Sequence, residues 1–312
     1  MSLIDELAFE FNKSKEEIRT YLLQAPSKYK VYLIPKRKVG KRVIAQPTKD
    51  LKLIQRFILA KKLKHLPIHD AAFAYVKNKS IKNNAAVHLS NSYLLNLDLE
   101  DFFNSITPKL FWRVWKRTID QVPEVEERRI YNQFLFWQPK KNSKKLILSI
   151  GAPSSPYISN FILYELDRYL TVFCKNNFIS YSRYADDLTF SSNVRNSLFK
   201  VPKVVEDKLF DLYEGEINLN HSKTVFSSKA KNRHVTGLVL TNDGKISIGR
   251  AKKRFIKHLV YRFKIGELEQ SSFQYVSGYL NFIQDVEPVF LESLKFKYTE
   301  EVVNKIMLGV WE

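Results

Sequence analysis

Two adjacent aspartates, Asp186 and Asp187, limit what this chain can fold into more than any other feature. They sit in Ala185-Asp186-Asp187, between two segments patterned as strands, Phe178–Tyr184 and Leu188–Ser191. So short a connection makes a hairpin, and the hairpin makes this part of the chain antiparallel sheet. A third aspartate, Asp98, closes an apolar segment, Tyr93–Leu99 (YLLNLDL), which reads as a strand running into a helix. Like charges crowded between buried strands disfavour ionisation. A hard divalent cation relieves that cost through oxygen ligands while keeping positions open for phosphate and water. Two such ions sharing carboxylates can clamp an attacking hydroxyl and a leaving pyrophosphate in line. Each feature alone has an ordinary alternative, since Asp-Asp is common in turns and an Asp after a strand often caps a helix.

Charge narrows the partner. Lys and Arg number 51 against 32 Asp and Glu, a formal net charge of +19. That excess opposes compaction unless a polyanion neutralises it, and nucleic acid is the leading candidate; a merely basic, soluble surface is the alternative. Apolar residues at 45% and charged residues at 27% are ordinary globular composition and exclude a disordered chain. The single cysteine, Cys174, rules out an intrachain disulfide and argues against a structural zinc site. Apolar runs fall far short of the roughly 20 residues that span a bilayer. Asp5, Glu6 and Glu10 interrupt any apolar leader. The chain therefore reads as cytoplasmic.

Further elements follow from local chemistry. Ser14-x-x-Glu17 is a capping box that opens a helix to about Gln24, closed by Pro26. Tyr29–Pro35 and Lys41–Ala45 read as strands around Lys38-Val39-Gly40. Asp50–Leu63, Pro108–Arg117, Glu124–Trp137 and Val201–Tyr213 have helical patterning, and Pro153–Lys175 reads as one long amphipathic helix. His234–Thr241 and Lys245–Ile248 read as a second hairpin across Asn242-Asp243-Gly244. From Arg250 the pattern is helical to the end, with breaks near Gly266–Ser272 and at Pro288. The expected class is α+β, an antiparallel sheet with a helical tail. Between Lys229 and Lys264 there are 11 Lys or Arg and one acidic residue, Asp243. Arg250, Arg254, Lys257, Tyr261 and Lys264 share one helical face, with Phe255, Ile256, Leu259 and Phe263 mainly on the other. Such a face suits a nucleic-acid backbone, Tyr261 packing on a sugar or base; a solvated basic face is the alternative.

Tyr184-Ala185-Asp186-Asp187, preceded by Leu97-Asp98-Leu99, resembles the palm of reverse transcriptases. Gly151-Ala152-Pro153-Ser154-Ser155-Pro156 followed by Ser159-Asn160, and Leu219-Asn220-x-x-Lys223-Thr224, resemble two further segments of that family. Lys41-Arg42-x-Ile44, Pro47 and Leu51-Lys52-x-Ile54-Gln55 resemble its fingers. Asn84-Ala85-Ala86-Val87-His88 and Val235-Thr236-Gly237 are similar to two elements of the bacterial retron branch. The likeness covers about residues 30 to 265.

The resemblance implies a right-hand polymerase fold with fingers, an antiparallel-sheet palm and a helical thumb. The expected division is N-terminal helices over 1–28, fingers and palm over 29–240, and thumb over 241–312. It implies an RNA-directed DNA polymerase, with two Mg²⁺ ions held by Asp98, Asp186, Asp187 and the Leu99 carbonyl. Arg42 would meet the triphosphate, with Lys36 or Lys38 as helpers. Phe103 would be the bulky gate beneath the incoming sugar, with Phe102 in the core, and Gly151 and Lys223 would border the nucleotide. Asn84, His88, Val235, Thr236 and Gly237 would recognise a structured RNA beside Arg250, Arg254, Lys257 and Tyr261. Such an enzyme would copy part of a partner non-coding RNA into single-stranded DNA (msDNA) from deoxynucleotides, primed by an RNA 2′-hydroxyl. It would work in the bacterial cytoplasm in antiphage defence with an effector protein. Two alternatives stand: another bacterial reverse transcriptase, maturase-like or free-standing, and a non-catalytic RNA-binding scaffold. One departure is Ser149-Ile150-Gly151, where the family usually has Gln before the glycine.

Overall fold

The computed structural model describes residues 2–35, 40–140 and 143–311. Its first helices, α1 (Leu3–Glu10) and α2 (Lys15–Gln24), each start at a reciprocal capping box, Ser2 with Asp5 and Ser14 with Glu17. These boxes satisfy amides that have no partner within the helix. Pro26 ends α2 in a short 3-10 turn, as expected. β1 (Tyr29–Pro35) and β2 (Lys41–Pro47) pair antiparallel, with Ile34 opposite Arg42. Lys36, Lys38 and Val39, at the expected turn, lie outside the described residues. α3 (Lys49–Ile58) continues through one π turn, Leu59–Leu63. The short α4 (Ile81–Ala86) is capped by Ser80. β3 (Tyr93–Asp98) is followed by α5 (Phe102–Ser105), α6 (Pro108–Ile119) and α7 (Val125–Leu135).

The helix expected over Pro153–Lys175 is two helices, α8 (Ser155–Ile162) and α9 (Tyr164–Asn176). Leu163, at φ −90° and ψ 5°, breaks the register between them. The Tyr213 hydroxyl donates to the Ile162 carbonyl there at 2.9 Å, which gives a carbonyl freed by the break a partner. β4 (Ser180–Tyr184), β5 (Asp187–Ser192), α10 (Val201–Tyr213) and β6 (Val225–Ser228) complete the central unit. Its sheet has the order β4-β5-β3-β6, antiparallel throughout. Leu95, Leu97, Leu188 and Phe190 of the sheet share one core with Phe111, Phe161, Leu166 and Val205 of the helices.

β7 (Arg233–Val235), β8 (Leu238–Leu240) and β9 (Ile246–Ser247) form a second, antiparallel sheet. The single strand expected over His234–Thr241 is therefore two. Thr236 and Gly237 turn the chain back with φ of 48° and 85°, the positive values that a two-residue hairpin requires. The hairpin across Asn242-Asp243-Gly244 is present. α11 (Arg250–Lys264), α12 (Gln270–Val286), α13 (Pro288–Tyr298) and α14 (Glu300–Met307) pack on this sheet. Leu3, Leu7 and Ile18 belong to the first core, and Val235, Leu238 and Leu240 to the second. The divisions expected after residues 28 and 240 therefore do not follow the cores: the first cuts one core, the second one small sheet. Among the described residues no helix is long and apolar enough to cross a membrane.

Candidate active site

β3 and β5 run antiparallel with Asp98 directly opposite Asp187, so two of the three aspartates meet at one end of the central sheet. Ala185-Asp186 joins Tyr184 of β4 to Asp187 of β5, with Ala185 at φ 58°. A residue with a Cβ holds that conformation at a cost of roughly 1–2 kcal/mol, so the surroundings must enforce it. The Leu99 amide donates to the Asp186 carbonyl at 3.1 Å, and the Asn220 amide to the Asp98 carbonyl at 2.8 Å. These two bonds tie the Asp98 strand to the Asp186 turn and to the segment that carries Lys223.

The crowding is visible in the electrostatics. Desolvation by neighbouring atoms, then the Asp186 and Asp98 charges, push the Asp187 carboxyl up to about 7, although the residue as a whole is exposed. Burial, joined by the Asp98 charge, also raises Asp186. Lys223 Nζ donates to both oxygens of Asp98, at 2.8 and 2.9 Å. Among the described residues no group of three or more His, Cys, Asp and Glu side chains is already arranged around a metal position. The donor set nonetheless fits one, because hard oxygens crowded until they hold protons are what a divalent cation relieves. Lys223 is the counter-charge in contact with Asp98, and a bound cation would take over that role.

A cleft of about 740 Å³ opens beside this cluster. Arg42, Phe103, Gly151 and Lys223, the four expected nucleotide contacts, all line it, together with Leu99 and Asp186. Three further cations, Lys41, Lys52 and Arg56, face the same space. Gly151 has φ 124°, and a Cβ there would lie 3.2 Å from the Ala45 carbonyl oxygen and 3.3 Å from Ile44 Cγ2. The Ala45 amide also donates to the Ile150 carbonyl at 3.0 Å. Only glycine lets the loop approach β2 this closely. Ile150, where the family usually has Gln, also lines the cleft. Phe103 is half-buried, with its ring 5.7 Å from that of Phe102, which is packed in the core.

Sequence reasoning missed Arg183 and Tyr75. Arg183 is wholly buried beneath the hairpin tip. Its Nη2 donates to Asp167 at 2.6 Å, and its Nη1 donates to the Ala185 carbonyl at 2.9 Å and to Asn160 Oδ1 at 3.1 Å. Asn160 Nδ2 in turn donates to the Ala74 carbonyl at 2.9 Å. One buried ion pair thus braces both the strained Ala185 turn and the segment bearing Tyr75, which lines the cleft at φ 62°. The available signal was an arginine inside a strand otherwise fit for burial, which calls for a buried acid.

The expected RNA-contacting residues divide. Asn84, His88 and Val235 are wholly buried. This burial does not fit the expectation that their side chains touch RNA: His88 is hydrogen-bonded at both ring nitrogens, Val235 is packed in the core, and Asn84 is bonded through Oδ1 although its Nδ2 has no partner among the described residues. Thr236 is half-buried, and Gly237 lines a basic cleft of about 1170 Å³ with Arg250 and Arg254. Arg250, Arg254 and Tyr261 are exposed on α11. Lys257 is half-buried, its Nζ 5.6 Å from the Phe290 ring centroid. Phe255, expected on the inward face, is 47% exposed and packs against Tyr275.

Residues 34–240 match the family described as reverse transcriptase (RNA-dependent DNA polymerase). Over 279 residues the chain is 47% identical to the Retron Ec83 reverse transcriptase of Escherichia coli, covering 89% of this chain and 89% of that protein. Over 302 residues it is 32% identical to the Retron Ec86 reverse transcriptase of Escherichia coli, covering 94% and 89%. A solved structure of apo telomerase from Candida tropicalis aligns with a TM-score of 0.49 at 13% identity, covering 92% of this chain and 59% of that one. An aspartate-bearing strand and hairpin beside a cationic cleft, in a chain this similar to those relatives over nearly its whole length, identify the family: the chain belongs to the retron-type reverse transcriptases, RNA-directed DNA polymerases.

Proposed function

We propose that this polymerase copies part of a structured partner RNA into single-stranded DNA (msDNA), starting from a 2′-hydroxyl of that RNA. The observation that carries the chemistry is the juxtaposition of Asp186 with Lys41, Arg42, Lys52 and Arg56 across one cleft. A deoxynucleoside triphosphate fits that polarity, its phosphates toward the cations and its reacting end toward the carboxylates. Asp98, Asp186, Asp187 and the Leu99 carbonyl would hold two Mg²⁺ ions, which when bound supply Lewis acidity and charge neutralisation. Arg42 and its neighbours orient the triphosphate. Phe103 closes the space beneath the sugar and so disfavours a ribose hydroxyl, and Gly151 keeps the wall against β2 thin. Lys223 leaves Asp98 as the cleft fills and becomes available to phosphate.

Arg250, Arg254 and Tyr261 give the thumb an exposed face for the RNA–DNA duplex, with Lys257 and the Thr236-Gly237 turn at its border. The likeness to retron enzymes supports a role in antiphage defence with an effector protein, in the bacterial cytoplasm where the partner RNA is made. The test of the chemistry is primer extension on an RNA template, with and without Mg²⁺. Deoxynucleotide addition that needs Mg²⁺ and is lost in Asp186→Asn supports the reading. Equal extension by the variant contradicts it.

A further inference from the structure

Asn84–His88 and Val235–Gly237, the two segments expected to recognise RNA, meet each other. Ala85 lies in the same apolar core as Val235 and Leu238, and the Thr236 hydroxyl donates to the Ile81 carbonyl at 3.5 Å. The first segment is also pinned to the palm, by hydrogen bonds whose direction can be derived. Asn91 Nδ2 donates to Ser191 Oγ at 2.7 Å, and Ser182 Oγ donates to Asn84 Oδ1 at 2.6 Å. The Ser182 proton is thus used, so Ser182 Oγ accepts from His88 Nε2 at 2.7 Å. His88 Nδ1 then accepts from the Ser191 hydroxyl, also at 2.7 Å. These directions are mutually consistent and leave a neutral imidazole protonated at Nε2, while Asn84 Nδ2 has no hydrogen-bond partner among the described residues. Ser182 lies on β4 and Ser191 on β5, the strands whose connecting turn carries Asp186.

The far side of the contact belongs to the thumb. Asn96 Nδ2 of β3 donates to the His234 carbonyl of β7 at 3.0 Å, and Lys82 Nζ donates to the Asp285 carbonyl of α12 at 2.5 Å. The turn at Thr236-Gly237 leads through β8 and β9 directly into α11.

We propose that Asn84–His88 and Val235–Gly237 are two halves of one joint that sets the thumb on the palm, with His88 as its positioning residue. The joint fixes where the duplex-holding face of α11 stands relative to the carboxylates. His88 and the two serines it bonds line neither the nucleotide cleft nor the carboxylates, so their loss weakens the hold on nucleic acid and spares the chemical step. The inference rests on reading α11 as the helix that grips the duplex.

The experiment uses the full-length protein and an annealed primer–template. Ser182→Ala and Ser191→Ala remove links at either end of the imidazole with little change in volume, and His88→Ala removes both. Each is measured for primer–template Kd, for single-nucleotide kcat at saturating primer–template, and for Tm. The expected result is a Kd about tenfold higher, as when the binding-competent thumb position falls to about a tenth of the population, with kcat within about twofold of the parent. An unchanged Kd with a lower Tm would reduce the network to a fold-stabilising one and overturn the proposal. A fall in kcat, with or without a change in Kd, would overturn it too, by assigning the network to the Asp186 turn. If His88→Ala does not fold, the two serine variants decide. Arg254→Ala separates the underlying reading: if it leaves Kd unchanged, the thumb does not grip through α11, whatever the joint variants do.

Discussion

Asp187 holds its proton to about pH 7 because surrounding atoms desolvate its carboxyl and two other carboxylates crowd it, and this has a measurable sign. The folded state binds that proton more tightly than an unfolded chain with a carboxyl near 3.8, so metal-free stability falls as pH rises from 3.8 to about 7. Asp187→Asn, measured in chelator, should therefore raise Tm above pH 7, and the gain should shrink as pH falls toward 4. A gain that does not depend on pH would contradict the carboxylate account. The same variant should abolish DNA synthesis. Arg183 makes a second expectation. Arg183→Lys keeps the charge near Asp167 but cannot also reach Asn160 and the Ala185 carbonyl. Synthesis should fall at least about tenfold, since a site misplaced by about 1 Å loses more than that. Unchanged kcat with a lower Tm would mean that the ion pair supports only the fold. A third expectation is that Phe103→Val raises ribonucleotide incorporation relative to deoxyribonucleotide. If Phe102→Val does so instead, the gate stands one residue earlier.

These residues also show what was legible. Asp98, Asp186 and Asp187 announce themselves as charges where strands must be buried. Arg42, Phe103, Gly151 and Lys223 follow from matched segments, and the structure gathers them around one cleft. Arg183 and Tyr75 were not legible. Arg183 depends on Asp167, 16 residues earlier on a helix, and Tyr75 lies in a loop without periodicity.

At the scale of elements, periodicity located most helices and strands but not the places where a single residue changes direction. Leu163 ends α8 without glycine or proline, and its apolar side chain keeps the pattern of one helix running. Thr236 is β-branched and so reads as strand, yet it takes a positive φ at a turn. α1 lies too near the terminus to show a full apolar period. Of the face expected on α11, Arg250, Arg254 and Tyr261 are exposed, while Phe255, expected inward, lies against Tyr275 of α12. Exposure predicts how the cations divide the work. Arg254→Ala should weaken binding to many RNAs alike and lower the slope of log K against log salt by about one. Lys257→Ala should change that slope less, since its stem lies over Phe290. Equal slopes for both variants would show that burial does not grade these contacts.

Among the described residues two large cores meet at a short seam, with a third, small cluster of Ala45, Trp137 and Ile147 beside β2. The larger carries the N-terminal helices, the central sheet and its helices, and the smaller carries the second sheet and α11 to α14. The seam was invisible in the sequence because its halves, near residues 84–88 and 235–237, are far apart in the chain and were read as separate ligand contacts. Family and class were visible, since charge, carboxylate spacing and matched segments agree. What decides the proposed function is whether this chain makes DNA from its own partner RNA. The most direct measurement is the nucleic acid that copurifies with the wild-type protein and with Asp186→Asn, expressed alongside its native flanking RNA. The expected result is an RNA joined to single-stranded DNA through a 2′ linkage in the wild type, and the same RNA without DNA in the variant. RNA–DNA from both proteins, or no DNA from a wild-type protein that extends annealed primers, would contradict it.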